Sequence, residues 1–333
     1  MRQLLQVRKP LPSGIHAFAG ILAFVLPILA WSIVSYAPFV WHPLVEITES
    51  GDASLFREGS LIEKEAFKTE SRRISENGGK PPKGVPANPV YLPAPHEVLS
   101  AFYTAFKTEP RRTSDPWLHQ SLWHSVTIIF WGFAISSIVG VPLGIFCGTY
   151  SLCSRLTEPF IDFIRYMPAP AFGALCVAIM GIHDAPKIAI IFIGTFFQQV
   201  LVVSNTTRKL DIAIIEAAQT LGSNGINLIR RVIVPGILPN LYKDMRILLG
   251  WAWTYLIVAE LVGAKSGITS FIHQQSKYKN YDNVYAAIIM IGIIGLATDQ
   301  LLAAIGHRIF PWQKEKRTGS LTILLQFIKK RAA

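Results

Sequence analysis

Residues 118–154 read LHQSLWHSVTIIFWGFAISSIVGVPLGIFCGTYSLCS, without a single Asp, Glu, Lys or Arg. About 20 apolar residues, rising 1.5 Å each in a helix, cross the hydrocarbon of a bilayer, and this run exceeds that length. A second uncharged run covers Ile188 to Thr207. Working outward from these two, charge stays scarce: 16% of the 333 residues are charged and 51% are apolar, whereas soluble domains carry about 25% charged residues. Mean hydropathy is +0.37. This composition excludes a disordered chain, a disulfide scaffold and an ordinary soluble enzyme. The expected fold class is all-α, a polytopic membrane protein of about six transmembrane helices.

The six expected spans are Ala17–Tyr36, Ser125–Phe146, Pro168–Ile182, Ile188–Thr207, Met245–Val262 and Val284–Ile305. The first is longer than the apolar region of a secretory signal and lacks a small-x-small cleavage site, so it reads as a retained helix. Met167-Pro168-Ala169-Pro170 is expected to distort the third span. Four segments follow: 1–37 with the first span, 38–120 as a long outer loop, 121–306 as the core, and 307–333 as a basic tail. In the outer loop, the charged stretch around Glu63 to Arg73 reads as a solvated helix. Gly78, Gly79, Pro81 and Pro82 read as a linker. His96–Phe106 reads as an amphipathic helix with Val98, Leu99, Phe102 and Phe106 on one face.

Net charge is +11, and its distribution orients the chain. Arg2, Arg8, Lys9, Arg155, Arg208, Lys209, Arg230, Arg231, Lys243, Arg246 and the C-terminal Lys/Arg fall on the termini and alternate loops; the short opposite loops hold Lys187, Lys265, Lys277 and Lys279. By the positive-inside rule both termini are cytoplasmic. No basic stripe interleaved with aromatics suggests nucleic acid. Cys147, Cys153 and Cys176 form no C-x-x-C pair and read as packing residues.

The loop between the fourth and fifth spans, 208–243, does not have a linker's composition. Asp211 is placed to cap a helix, Ile212, Ile215 and Leu221 recur at helical spacing, and Gly222-Ser223-Asn224-Gly225 breaks the pattern. A second helical pattern runs from Ile226 to Val232, before Pro235. Exposed Ile214, Ile215, Leu228 and Ile229 in such a loop imply a partner that covers them.

Within this loop stand Glu216-Ala217-Ala218, three residues, Gly222, nine residues, then Val232-Ile233-Val234-Pro235. This resembles the E-A-A-x3-G-x9-I-x-L-P motif of the inner-membrane permeases of ABC importers, with Val232 and Val234 as conservative departures. Leu92-Pro93-Ala94-Pro95-His96-Glu97-Val98, Gly140-Val141-Pro142-Leu143-Gly144, and Val258-Ala259-Glu260 with Gly263 and Gly267 are similar to the nitrate/sulfonate/taurine/bicarbonate branch.

The resemblance implies a type I importer-like transmembrane domain in a bacterial inner membrane, working as a homodimer by alternating access on a small anion. It implies an ABC ATPase dimer docked on Glu216, Ala217, Ala218, Gly222, Val232 and Pro235, and a periplasmic or lipid-anchored substrate-binding protein outside. ATP and Mg would sit on the ATPase. This chain has no G-x4-G-K-[ST], since Ile74 holds the first glycine's place and Pro81 follows Gly79-Lys80. No cofactor and no catalytic residue is expected in it. The rival reading is a secondary transporter or channel that needs no ATPase.

Candidate pathway residues are Gln198, Gln199, Trp251, Thr254, Tyr255 and Glu260. Amide, indole and hydroxyl groups there suit an oxyanion; helix–helix bonding explains the glutamines equally well, and lipid contact the aromatics. Glu260 is ill suited to an anion and reads as a partner of Lys265 or a gate. Arg165 either attracts an anion beside the broken span or snorkels to the interface. Asp299 is expected to pair with a basic group.

Overall fold

The computed structural model describes residues 13–37, 41–53, 56–107, 117–263 and 266–313. The chain divides into two compact units, one running to Tyr103 with Lys279–Tyr285, the other comprising Thr104–Tyr278 and Ala286–Gln313.

The first unit opens with α1 (Ser13–Tyr36), an apolar helix with Pro27 inside. The outer loop then folds into a small sheet that the all-α expectation missed. Strands β1 (Leu44–Glu49), β2 (Leu61–Glu63) and β3 (Lys83–Ala87) pair antiparallel in the order β2-β1-β3, with Val45 opposite both Ile62 and Pro86. Alternation along β1 buries Val45 and Ile47 and turns Glu46 and Thr48 outward. The charged stretch forms α2 (Lys64–Glu76), as expected, with Ile74 on its buried face. The Gly/Pro stretch is not a linker: it turns α2 into β3, and the Asp52 carboxylate accepts the Lys80 N–H at 2.6 Å.

Helix α3 (Pro95–Lys107) forms where the amphipathic helix was expected, but the aromatic face is not the buried one. Val98 and Ala101 are buried, while Leu99 and Phe106 are exposed. Its start is fixed by the Glu97 carboxyl, which accepts the Ala94 N–H at 2.6 Å. Trp31 donates to the Pro93 carbonyl at 3.1 Å, and Tyr36 OH meets His96 Nδ1 at 2.7 Å.

The second unit is built on α4 (Leu118–Thr149) and α7 (Ala185–Arg208). Along α4, Gly132, Ser136, Gly140 and Gly144 recur every fourth residue and are buried. Along α7, Ile191, Thr195, Gln199, Val203 and Thr207 do the same. These i, i+4 rows interlock. A Cβ at Gly132 would stand 2.7 Å from Ile191 Cγ2, and one at Gly144 2.7 Å from Val203 Cβ. In a bilayer, where apolar burial does not drive helices together, such close backbone approach supplies the packing.

Helix α5 (Ser151–Arg165), a 3-10 turn at Ala169–Phe172 and α6 (Gly173–Met180) follow α4. The Met167–Pro170 run marks a break: α5 and the 169–180 segment, which covers most of the expected third span, bend by 88°. After α7 come α8 (Ile212–Thr220), α9 (Gly225–Leu228), a π-helical turn (Ile229–Ile233), α10 (Val234–Glu260), α11 (Gly267–Lys277) and α12 (Tyr281–Ile309). Among the described residues, Phe18–Tyr36, α4, α7 and α12 are long and apolar enough to cross a membrane, and the bent pair makes a fifth candidate. The expected fifth span, Met245–Val262, falls largely within α10, which is not among these candidates and carries Lys243, Asp244 and Arg246 near its middle.

Candidate functional site

The motif-bearing segment is built from ordinary helix-end chemistry. Asp211 caps α8, its carboxylate accepting the Ala213 N–H at 3.0 Å. At the other end Gly222 N–H donates to the Gln219 carbonyl and Ser223 N–H to the Ala218 carbonyl, both at 2.9 Å. This is a Schellman cap, which requires a left-handed residue, and Gly222 supplies it at φ +86°.

One face of α8 is anchored. Ile215 and Ala218 pack on a core of Ile145, Val203, Leu228, Ile229, Ile233, Ile237 and Leu241. Val232 and Val234 join that core, so both departures from the motif keep its packing role. The other face is open: Glu216 and Ala217 are exposed, with Ile212 68%, Ile226 63% and Leu221 89% exposed. Leu228 and Ile229, expected to be covered by a partner, are buried within the subunit instead.

Pro235 does not end the second helix. It sits in the first turn of α10, and the π-helical turn before it absorbs the ring and the missing N–H. The loop assigned to 208–243 therefore ends at Ile233, and α10 continues without a break to Glu260. Thr206 donates to Asp244 at 2.5 Å, joining α7 to α10. Asp299 accepts Arg246 Nη2 at 2.8 Å and Nε at 3.0 Å, the basic partner expected for it, joining α12 to α10.

The candidate pathway residues separate into two groups. Gln199 is fully buried, its carbonyl accepting from Ser136 at 2.8 Å and its amide donating to Ser137 at 3.2 Å. Gln198 is half-buried. Trp251 and Thr254 lie on an exposed strip of α10 with Ile247, Gly250 and Ile257, and the Thr254 hydroxyl donates back to the Trp251 carbonyl at 2.7 Å. The Tyr255 ring packs on Gly194.

Glu260 is 2% exposed and belongs to a clamp. The Ser125 hydroxyl of α4 donates to its Oε1, and Thr269 N–H of α11 donates to its Oε2 at 2.9 Å. Ser125 in turn accepts the Ile268 N–H at 2.9 Å. One carboxyl thus ties α4, α10 and the start of α11 together. Lys265, its expected partner, lies outside the described residues.

Sequence reasoning missed Ser125, which nothing near it in the chain marks. It also misplaced Lys187, assigned to an outer loop: the side chain is 0% exposed in the first turn of α7. Its ammonium donates to Asp184 Oδ1 at 3.0 Å and to the Ser266 hydroxyl. His124 Nε2 lies 3.1 Å from the same carboxylate. Burial works against the Asp184 charge, but Lys187 and His124 outweigh it and hold the carboxyl below its ordinary range. Arg165 is exposed and taken up by Asp162 at 3.0 Å and the Tyr166 ring.

Long apolar helices packed through glycines, with a capped and exposed segment between two of them, suit a membrane-embedded protein. The chain belongs to the family of binding-protein-dependent transport system inner membrane components, whose model matches residues 140–311. A probable ABC transporter permease protein of Brucella abortus is 31% identical over 225 residues, 68% of this chain and 87% of that protein. The taurine transport system permease protein TauC of Escherichia coli is 30% identical over 228 residues, 68% of this chain and 82% of that protein. Among solved structures, an inward-facing MetNI methionine ABC transporter chain shares the fold at a TM-score of 0.52 and 20% identity, covering 60% of this chain and 96% of that one. This chain is an ABC transporter permease, similar also to putative aliphatic sulfonate permeases and to a bicarbonate permease.

Proposed function

We propose that this permease carries a small anion of the sulfonate, nitrate or bicarbonate class into the cytoplasm, driven by a separate ABC ATPase dimer. The observation that carries this reading is the open face of the 212–226 segment. Leu221, Ile212 and Ile226 are exposed among the described residues, around Glu216 and Ala217, on a segment whose helix is capped at both ends. Such a surface suits a partner that grips and moves it. ATP and Mg would be bound by that partner.

In this reading both termini are cytoplasmic, and a second copy of the chain packs beside the first. The pathway runs along the exposed strip of α10 that holds Trp251 and Thr254, with Tyr255 and Gln198 nearby and Gln199 and Glu260 holding the helices behind it. ATP-driven closure of the ATPases biases an inward–outward equilibrium. A periplasmic or lipid-anchored binding protein delivers substrate at the outer loops and sets much of the selectivity. The taurine permease among its relatives supports the anion class.

The test is purification from native membranes in mild detergent, then reconstitution with any co-purifying ATPase. ATP-dependent uptake of a sulfonate, lost with Gly222→Asp while the chain still inserts, is the expected result. A chain free of ATPase that moves solute in liposomes by itself would establish the secondary-transporter reading instead.

A further inference from the structure

Cys147 and Cys153 form no C-x-x-C pair in the sequence, yet the fold brings their sulfurs into contact at 3.5 Å. Both are free thiols at the junction of α4 and α5. Their environments differ in a useful way. Cys147 is buried in the last turns of α4, whereas Cys153, in the first turn of α5, is partly exposed. Thr157 Oγ1, one turn further along α5, lies 2.9 Å from Cys147 Sγ. A cavity of about 320 Å³ opens beside Cys147, lined also by Ser154, Arg155, Glu158 and Arg208. Glu158 ties this elbow to α7, accepting from Arg208 at 2.5 Å and from Ser204 at 2.6 Å.

We propose that Cys147 and Cys153 form a reversible dithiol–disulfide site that closes under a small disulfide oxidant of the oxidised-glutathione type. The order of events follows from exposure. The Cys153 thiol, on the less buried of the two residues, gives up its proton and attacks a sulfur of the oxidant. The oxidant's S–S bond breaks, one small thiolate leaves, and a mixed disulfide stays on Cys153. Cys147, already in contact with Cys153 Sγ, then loses its proton and attacks that sulfur, expelling the second small thiolate. Two protein S–H bonds and one oxidant S–S bond become one protein S–S bond and two small thiols. Two electrons pass from the protein to the oxidant. The bridge replaces a hydrogen-bonded elbow with a covalent one beside Arg208, which closes α7 just before the capped 212–233 segment.

The experiment uses the full chain in detergent, reduced, desalted and exposed to oxidised glutathione. It is then denatured, alkylated with iodoacetamide and weighed intact. Three alkylated thiols before oxidation and one after, with the surviving label on Cys176 and recovery of all three by reductant, is the expected result. Cys147→Ser, or Cys147→Ala should serine disturb the fold, should retain a glutathione adduct on Cys153. Cys153→Ser should acquire neither adduct nor bridge. Three thiols surviving oxidation, a persistent adduct on the unaltered chain, or a dimer linked through Cys153 would each overturn the proposal.

Discussion

The Glu260 carboxyl fills the space that a side chain on Gly267 would need, and Gly267 holds φ at +82°. The two residues are therefore one unit, although six others separate them in the chain. An alanine at 267 meets both the left-handed backbone, which costs about 1–2 kcal/mol for an L-residue, and the carboxylate itself. Gly267→Ala is expected to lose more stability than that backbone cost alone. Glu260→Gln keeps the shape but turns an amide N–H toward Ser125 or Thr269, and should cost about 1–3 kcal/mol as a buried donor goes unmet. Thermal unfolding in detergent reads both, and an unchanged midpoint for either variant would remove the clamp.

Close approach makes a counterintuitive comparison between α4 and α7. Gly144→Ala adds one methyl, which would lie 2.7 Å from Val203 Cβ and 2.8 Å from the Val200 carbonyl. Overpacking against backbone costs about 1–3 kcal/mol. Ser136→Ala removes a hydrogen bond to Gln199, and interhelical bonds of this kind average about 0.6 kcal/mol in membranes. The added methyl should therefore lower the unfolding midpoint more than the deleted hydroxyl. The reverse order would mean that hydrogen bonding, not backbone proximity, holds the pair.

These relationships mark what the sequence makes legible. Long apolar runs poor in charge place α1, α4, α7 and α12, because hydropathy is a local property. The Glu216–Pro235 spacing is legible for the same reason, down to the Asp211 cap and the Gly222 turn. Contacts between distant residues are not. Ser125 meets Glu260 across the bundle, and Cys147 meets Cys153 only because Tyr150 turns the chain between two helices. Lys187 looks like a loop charge until Asp184 and Ser266 close over it. The strand Leu44–Glu49 carried its own alternating signal in Val45 and Ile47, but the surrounding charge drew the reading toward a solvated loop.

The Asp184 carboxyl is held below its ordinary range, after burial is offset by Lys187 and His124. A carboxyl depressed in the folded state stabilises fully above its unfolded value and loses that stability as pH falls through the folded value. The advantage of the native chain over Asp184→Asn should shrink as pH falls below about 4. Unfolding midpoints of the two proteins across that range check this. A gap that widens below about pH 4 would contradict the assignment.

Leu221 separates folding from coupling more cleanly than any other position. It is 89% exposed and follows α8 directly, so Leu221→Asp removes no packing and should leave stability within about 0.5 kcal/mol. If an ATPase grips this surface, the same change places an unpaired carboxylate in an apolar contact and should weaken co-purification by tenfold or more, about 1.4 kcal/mol. Gly222→Asp adds backbone strain at φ +86° and should abolish uptake, as should Glu216→Ala, with insertion intact in both. Glu216 is exposed on α8. Retained ATPase and uptake in Leu221→Asp, with normal unfolding, would move the docking surface elsewhere on the subunit. Lost uptake with a normal midpoint leaves the open face of the 212–226 segment as the site where force enters the permease.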